Sequence, residues 1–235
     1  MTNRNTRQQL ANTRNRREPL NFVPFAAAIS ALTSHQIALA NALLEHGTVL
    51  DIQTAFRDGQ LTSKAFVACC VRRIQQYDAR LNSVVELNPD ALIAASAADK
   101  ERPQLTIIPP LHGIPILLKD NIDTGDEMQT TAGAAALMGT YAADDAFLVT
   151  RLRENGAIIL GKNNLSEWAF WMSSDGASGY SFRGGQTRNP YGKFDVGGSS
   201  SGSGVSVAAG FAPLSIGTET CGSLTSPAAK TGWSH

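Results

Sequence analysis

The chain has 235 residues, of which 43% are hydrophobic, so it can bury a substantial core and disorder is not expected. Its twenty basic and twenty acidic side chains cancel, which argues against a nucleic-acid-binding protein that relies on a basic face. Its three cysteines and four histidines show neither a disulfide framework nor the spacing of metal ligands.

Residues 1–48 are predicted to form an N-terminal extension. Five arginines and one acidic residue lie in residues 1–18, and the apolar segment 22–32 is interrupted by Pro24 and too short to span a bilayer. A disordered tail before a helix, an export signal and an organelle transit segment all fit this pattern. The tail is the preferred interpretation, so the cytoplasm is favoured, and targeting by residues 1–40 stays open.

Three helices are predicted between residues 49 and 100. The first covers residues 49–57, and the third covers residues 89–100. The second begins at Thr62 or Ser63, either of which can cap it, and its apolar residues recur at helical spacing. This spacing predicts that Cys69 and Cys70 belong to the packing of the second helix.

From residue 114 onward, short apolar runs alternate with helical segments. Strands are predicted at 114–118, 157–160 and 212–216, and helices from Asp144 or Asp145 to Gly156 and at 203–209. This alternation predicts an α/β fold with a mixed, largely parallel sheet covered by helices on both faces. Ligands of such sheets bind at the carboxyl ends of the strands, where Lys119, Ser199 and Ser223 can converge.

Two glycine-rich loops carry serines that suit nucleophilic catalysis. The first is GGSSSGSG, residues 197–204, and the second is GTETCGS, residues 217–223. A serine that attacks a carbonyl needs donors for the oxyanion, and backbone N–H groups are accessible where side chains are absent. With no usable histidine, Lys119 is the best candidate base if burial keeps its amine neutral. Ordinary solvent loops and a solvated strand end are the alternative interpretation.

Residues from about 50 to 232 resemble the amidase signature family of serine hydrolases. The resemblance lies in three segments in the same order: GIPILLKDN around Lys119, GGSSSGSG around Ser199 and GTETCGS ending at Ser223. The segments GKNNLSEWAF and GGQTRNPYG between them are also similar to the family. The resemblance implies that Ser223 is the nucleophile of an acyl-enzyme mechanism. It also implies that Ser199, which follows a cis peptide bond, passes the proton to Lys119.

The resemblance implies further features of the site and its substrate. Ser200 would support the proton relay, and backbone N–H groups would form the oxyanion hole, namely those of Thr220, Cys221, Gly222 and Ser223. No metal or organic cofactor is implied, and the substrate would be a small-molecule or peptide amide. The Thr-Glu-Thr motif and the segments SEWAF and RGGQTRNPY are more similar to the peptide-amidase branch than to amidotransferase subunits, which remain an alternative.

Two features depart from the family pattern. Cys221 stands where the family usually has Gly or Asp, which is either a tolerated side chain or an oxidation-sensitive neighbour of the nucleophile. Family members also continue for about as long again beyond His235, so residues 49–235 are expected to be the N-terminal part of an amidase domain. An inactive fragment, a complementary chain and self-association through an exposed sheet edge therefore stay open.

Overall fold

The computed structural model describes residues 18–171 and 176–232, so residues 1–17 of the N-terminal tail and His235 lie outside the described residues. In these ranges, the helices are α1 (Ala26–Ser30), α2 (Ser34–His46), α3 (Val49–Arg57), α4 (Ser63–Leu81), α5 (Ala91–Glu101), α6 (Phe147–Glu154), α7 (Ser201–Ala208) and α8 (Thr225–Thr231). The strands are β1 (Val84–Leu87), β2 (Pro115–Lys119), β3 (Ile158–Asn163), β4 (Tyr180–Ser181), β5 (Gly185–Gln186) and β6 (Leu214–Ile216).

Four strands form the main sheet in the order β1-β3-β2-β6. The strands β3, β2 and β6 are parallel, and β1 pairs with β3 in the antiparallel direction. Every residue of β2 and β3 is buried, as expected for central strands of a sheet covered by helices. The predicted mixed, largely parallel sheet with helices is thus confirmed.

The positions of the elements agree with the prediction at most points. Helix α3 has the predicted bounds, and α4 begins directly after Thr62, whose side chain accepts a hydrogen bond from the Ala65 N–H at 3.1 Å. Helix α6 begins at Phe147, later than predicted. Asp145 lies before the helix, where its carboxylate accepts hydrogen bonds from the Gly125 N–H and from Arg153. Strand β1 and the short β4–β5 hairpin were not predicted, since four and two residues are too few for a periodic pattern.

One hydrophobic core joins the N-terminal helices to the sheet. Phe25 and Ala40, which precede residue 49, are fully buried in the same cluster as Leu117 of β2. Cys69 and Cys70 lie in this core on α4, as predicted. Residues 25–46 therefore pack on the sheet-bearing part of the chain, whereas the proposed domain boundary at residue 48 stays a prediction.

Within the described ranges, no single helix combines the length and the apolar composition needed to cross a membrane. The helical segments Val23–Ser30 and Ser34–His46 meet these length and composition criteria when they are taken together. The chain bends by 114° between the two segments.

Candidate active site

The candidate site lies where the parallel strands end. Lys119 is the last residue of β2 and pairs with Asn163, the last residue of β3. Ile216 at the end of β6 pairs with Leu118, so the chain leaves β6 for the loop 217–223 beside Lys119. Because the carboxyl ends of parallel strands meet at one edge, residues distant in sequence converge there.

Lys119 is completely buried and surrounded by oxygen atoms. Its Nζ lies 2.7 Å from Ser199 Oγ, 2.9 Å from Thr218 Oγ1 and 3.2 Å from the Thr218 carbonyl oxygen. Burial lowers the pKa of Lys119 from 10.5 to about 8, and the negative charge of Glu219 acts in the opposite direction. A fraction of this amine is therefore neutral near neutral pH, and a neutral amine can accept a proton.

Ser199 is held through its backbone carbonyl, and the loop that carries it packs on the end of β3. The peptide bond between Gly198 and Ser199 is cis, and the Ser199 carbonyl accepts a hydrogen bond from the Ser166 N–H at 3.0 Å. Gly202, in the first turn of α7, lies against the next segment of the chain. A Cβ at this position would lie 2.4 Å from the Asn164 carbonyl oxygen, so only glycine permits this approach. The loop before α7 is thereby packed directly on the end of β3.

Ser200 joins the two glycine-rich loops. Its Oγ donates to the Thr218 carbonyl at 3.1 Å and accepts from the Thr218 N–H at 3.2 Å, while its backbone N–H donates to the Ser223 carbonyl at 3.1 Å. A Cβ on Gly217 would lie 2.6 Å from Ser200 Oγ, so this contact also requires glycine. Three hydrogen bonds thus fix the loop 217–223 beside Ser199.

Ser223 is buried, and its backbone carbonyl accepts a hydrogen bond from the Ser200 N–H. In the part of the chain that the structure describes, no hydrogen bond joins the Ser223 hydroxyl to Ser199 or Lys119. The structure therefore brings Lys119 and Ser199 into direct contact, and Ser223 into the adjacent loop without a direct bond to either side chain.

The backbone N–H groups of the loop 217–223 are partly unoccupied. Those of Thr220, Cys221 and Ser223 have no acceptor among the described residues. The Gly222 N–H faces the Glu219 carboxylate. Cys221 is exposed, and Gly222 has a φ of 75°, which favours glycine. Three donors next to a serine are therefore available for a negatively charged oxygen.

Glu219 fixes the turn that follows Ser223. Its carboxylate accepts the Thr225 N–H at 3.0 Å and also that of Leu224. The N–H groups of Thr225 and Leu224 lower the pKa of Glu219 because they stabilise its charged form. The Glu219 side chain therefore stays ionised, and its negative charge acts to raise the pKa of Lys119.

A buried ionic cluster supports the chain directly after Lys119. Asp120 binds Arg183 at 2.8 Å and the Thr131 hydroxyl, and Arg183 also binds Glu86 at 2.5 Å. Lys162 lies in the same region and donates to the Ile122 carbonyl at 2.6 Å. Burial raises the pKa of Asp120 and lowers that of Lys162. The cluster anchors the end of β2 and leaves Lys119 outside it.

Sequence reasoning missed two polar residues of the site. Thr218 contacts Lys119 through two oxygens, and Asn121 Nδ2 donates to Thr218 Oγ1 at 3.0 Å. Both lie inside the segments GTETCGS and GIPILLKDN, which the sequence had already singled out. A polar loop residue has an ordinary turn role by default, so no sequence signal separated these two from their neighbours.

The grooves of the surface differ in their relation to the site. One of about 310 Å³ lies between α7, β6 and α8 and is bordered by Ser200, Gly217 and Leu224. A larger one of about 810 Å³ lies between α1, α4 and α5, and its lining includes none of the candidate residues. Among the described residues, no group of three or more His, Cys, Asp or Glu side chains is arranged to hold a metal ion.

Known proteins match most of this chain. The family described as Amidase matches residues 65–233. A probable amidase of Arabidopsis thaliana is 46% identical over 209 residues, which are 87% of this chain and 41% of that protein. A glutamyl-tRNA(Gln) amidotransferase subunit of Chloroflexus aurantiacus is 40% identical over 191 residues, which are 80% of this chain and 38% of that protein.

A solved structure shows the same similarity in three dimensions. The native peptide amidase from Stenotrophomonas maltophilia superimposes with a TM-score of 0.74 at 50% identity. The match covers 78% of this chain and 38% of that chain. The chain therefore spans about two fifths of the length of the relatives that it matches.

Proposed function

Because the chain belongs to the amidase family, we propose that it contributes to the hydrolysis of carboxamide C–N bonds through a triad of Ser223, Ser199 and Lys119. The observation that carries the proposal is the contact of 2.7 Å between Lys119 Nζ and Ser199 Oγ inside a fully buried environment. A buried amine with a pKa of about 8 suits a general base near neutral pH.

The proposed reaction begins with two coupled proton transfers. Ser199 gives its hydroxyl proton to the neutral Lys119 amine and takes the hydroxyl proton of Ser223. The Ser223 oxygen then forms a bond to the amide carbonyl carbon, and the carbonyl π electrons move onto oxygen. This step requires Ser223 Oγ to approach Ser199 when substrate binds, which its position in the adjoining loop allows.

The second half of the reaction returns the proton. The oxyanion accepts hydrogen bonds from the N–H groups of Thr220, Cys221 and Ser223, and Ser200 keeps the two loops in register. The Gly222 N–H, the fourth donor of the expected oxyanion hole, faces Glu219 and would join them only by leaving that carboxylate. As the intermediate collapses, the C–N bond breaks and the leaving amine receives the proton through Ser199. Water then attacks the Ser223 ester along the same relay, which yields the carboxylic acid and the free serine.

The proposed substrate is a small carboxamide or a peptide with a C-terminal amide. The higher identity to the peptide amidase than to the amidotransferase subunit supports this branch. The steps above use only side chains, backbone N–H groups and water, so the proposal includes no cofactor.

The test compares ammonia release from simple carboxamides and a peptide amide by the wild-type protein and its Ser223→Ala variant. Hydrolysis is expected in the wild type, rising with pH through about pH 8 as Lys119 loses its proton, and lost in the variant. Ser206→Ala is the matched control, since among the described residues the hydroxyl of this buried serine donates to the Ser203 carbonyl within α7. Equal rates for wild type and Ser223→Ala would contradict triad-dependent hydrolysis.

Two other functions have support in specific observations. The 40% identity to an amidotransferase subunit favours a role within an ammonia-transferring complex, which co-purification with partner proteins would reveal. Among the described residues, β6 is an edge strand of the sheet, which favours association with a complementary chain or a second copy along this edge. A folded wild-type protein that releases no ammonia would favour these alternatives over independent hydrolysis.

A further inference from the structure

We propose that Thr218 is a positioning residue for Lys119: its two oxygens bind two hydrogens of the amine and leave the remaining position on nitrogen facing Ser199. The inference rests on the proposed function, in which Lys119 receives the relayed proton. It concerns a residue with no assigned part in the triad or the oxyanion hole.

The first argument counts the donors and acceptors around the amine. A protonated lysine has three N–H donors, and a neutral one has two N–H donors and one lone pair. Lys119 Nζ has three oxygens within hydrogen-bond distance, namely Ser199 Oγ, Thr218 Oγ1 and the Thr218 carbonyl. The protonated form is therefore fully satisfied. The neutral form can donate both of its N–H groups to the two oxygens of Thr218. Its lone pair then points at the Ser199 hydroxyl.

The second argument is that Thr218 is itself held in place. Its N–H and carbonyl form a reciprocal pair with Ser200 Oγ, and its hydroxyl receives a hydrogen bond from Asn121 Nδ2 at 3.0 Å. The carbonyl can only accept hydrogen bonds, so one N–H of Lys119 is committed to it in either protonation state. The orientation of the amine thus follows from a residue that these bonds to Ser200 and Asn121 fix.

Removal of the hydroxyl alone isolates this effect. In Thr218→Val the carbonyl remains, but the protonated amine loses one of its three acceptors, so its pKa should fall further. The neutral amine then has only Ser199 Oγ for its second N–H, which turns the lone pair away from the Ser199 proton. We expect the rate of hydrolysis to fall by about 100-fold, which is within the range typical of general-base catalysis. In the pH–rate profile, the rise that follows deprotonation of Lys119 should move to lower pH.

The experiment measures the titration of Lys119 directly as well as the rate. The protein is labelled with [6-¹³C]lysine, and the Lys119 resonance is assigned by its loss in Lys119→Met. Thr218→Val and Thr218→Ala should both lower the pKa of Lys119, while Thr218→Ser should keep the wild-type pKa and rate. Thr231→Val, which removes a buried hydroxyl bonded to the Pro227 carbonyl, should change neither.

Each outcome decides the inference. A lower rate with an unchanged pKa would mean that Thr218 has only a structural role, and a raised pKa would mean that its hydroxyl donates to the lone pair; either result overturns the proposal. If Thr218→Val does not fold, the Thr218→Ala and Thr218→Ser pair gives the answer. If the wild type and Ser223→Ala hydrolyse amides equally, the proposed function fails, whereas the lysine titration still tests Thr218.

Discussion

Replacing Lys119 with methionine should change the stability of the protein in a way that depends on pH. Lys119 is completely buried, and its pKa falls from 10.5 to about 8 because burial disfavours the charged form. The unfolded chain keeps this proton up to its ordinary pKa, whereas the folded protein releases it near pH 8. Between these two values the unfolded state binds more protons, so the free energy of unfolding rises with pH.

The size of this change in the free energy of unfolding follows from the difference between the two pKa values. A fall from 10.5 to about 8 corresponds to about 3 kcal/mol of unfavourable free energy for the protonated folded state. This cost is complete below pH 8, decreases through the interval and is absent above pH 10.5. Methionine has no such cost but also loses the hydrogen bonds to Ser199 and Thr218, which adds an offset that does not depend on pH.

The assay is urea unfolding of wild type and Lys119→Met at about pH 7 and about pH 10.5, with free energies from linear extrapolation. The stability of the variant relative to wild type should decrease by about 3 kcal/mol over this range. Other titrating groups, including the buried Lys162, are common to both proteins and cancel in the difference. Lys64→Met, which replaces an exposed lysine of α4, should show a constant difference. A constant difference for Lys119→Met as well would refute the reasoning.

Two further predictions concern the loops of the site. In urea unfolding, Gly202→Ala should destabilise the protein by about 1–3 kcal/mol, because the added Cβ would lie 2.4 Å from the Asn164 carbonyl oxygen. Gly204→Ala on the same helix is the control. Its Cβ would meet nothing closer than 3.1 Å, so it should cost less than about 1 kcal/mol. Equal losses would show that packing on Asn164 does not select glycine. A thiol reagent should modify only Cys221 in the folded protein, since Cys69 and Cys70 are buried, and should slow hydrolysis in wild type but not in Cys221→Ala. Unchanged turnover after complete labelling of Cys221 would mean that its side chain points away from the reacting carbonyl.

Much of the fold could be predicted because the local signals agree with the final structure. Thr62 caps α4 as its position suggested, and the apolar run before Lys119 became the fully buried strand β2. The elements that escaped prediction depend on distant partners. Strand β1 has only four residues, and its pairing with β3 joins Leu87 to Gly161, far away in sequence. No window of the sequence around residues 84–87 contains that information.

The sequence by itself determined which chemical groups are available: an apolar strand that ends in Lys119, and two glycine-rich loops that carry Ser199 and Ser223. Only the tertiary structure decided that Lys119 contacts Ser199 and that Thr218 supplies two of its three acceptors. The reason is that a hydrogen bond needs atoms within about 3 Å, and this distance is set by three strand ends that parallel pairing brings to one edge. The lowered pKa of Lys119 has the same origin, because burial is a property of the assembled sheet and its helices.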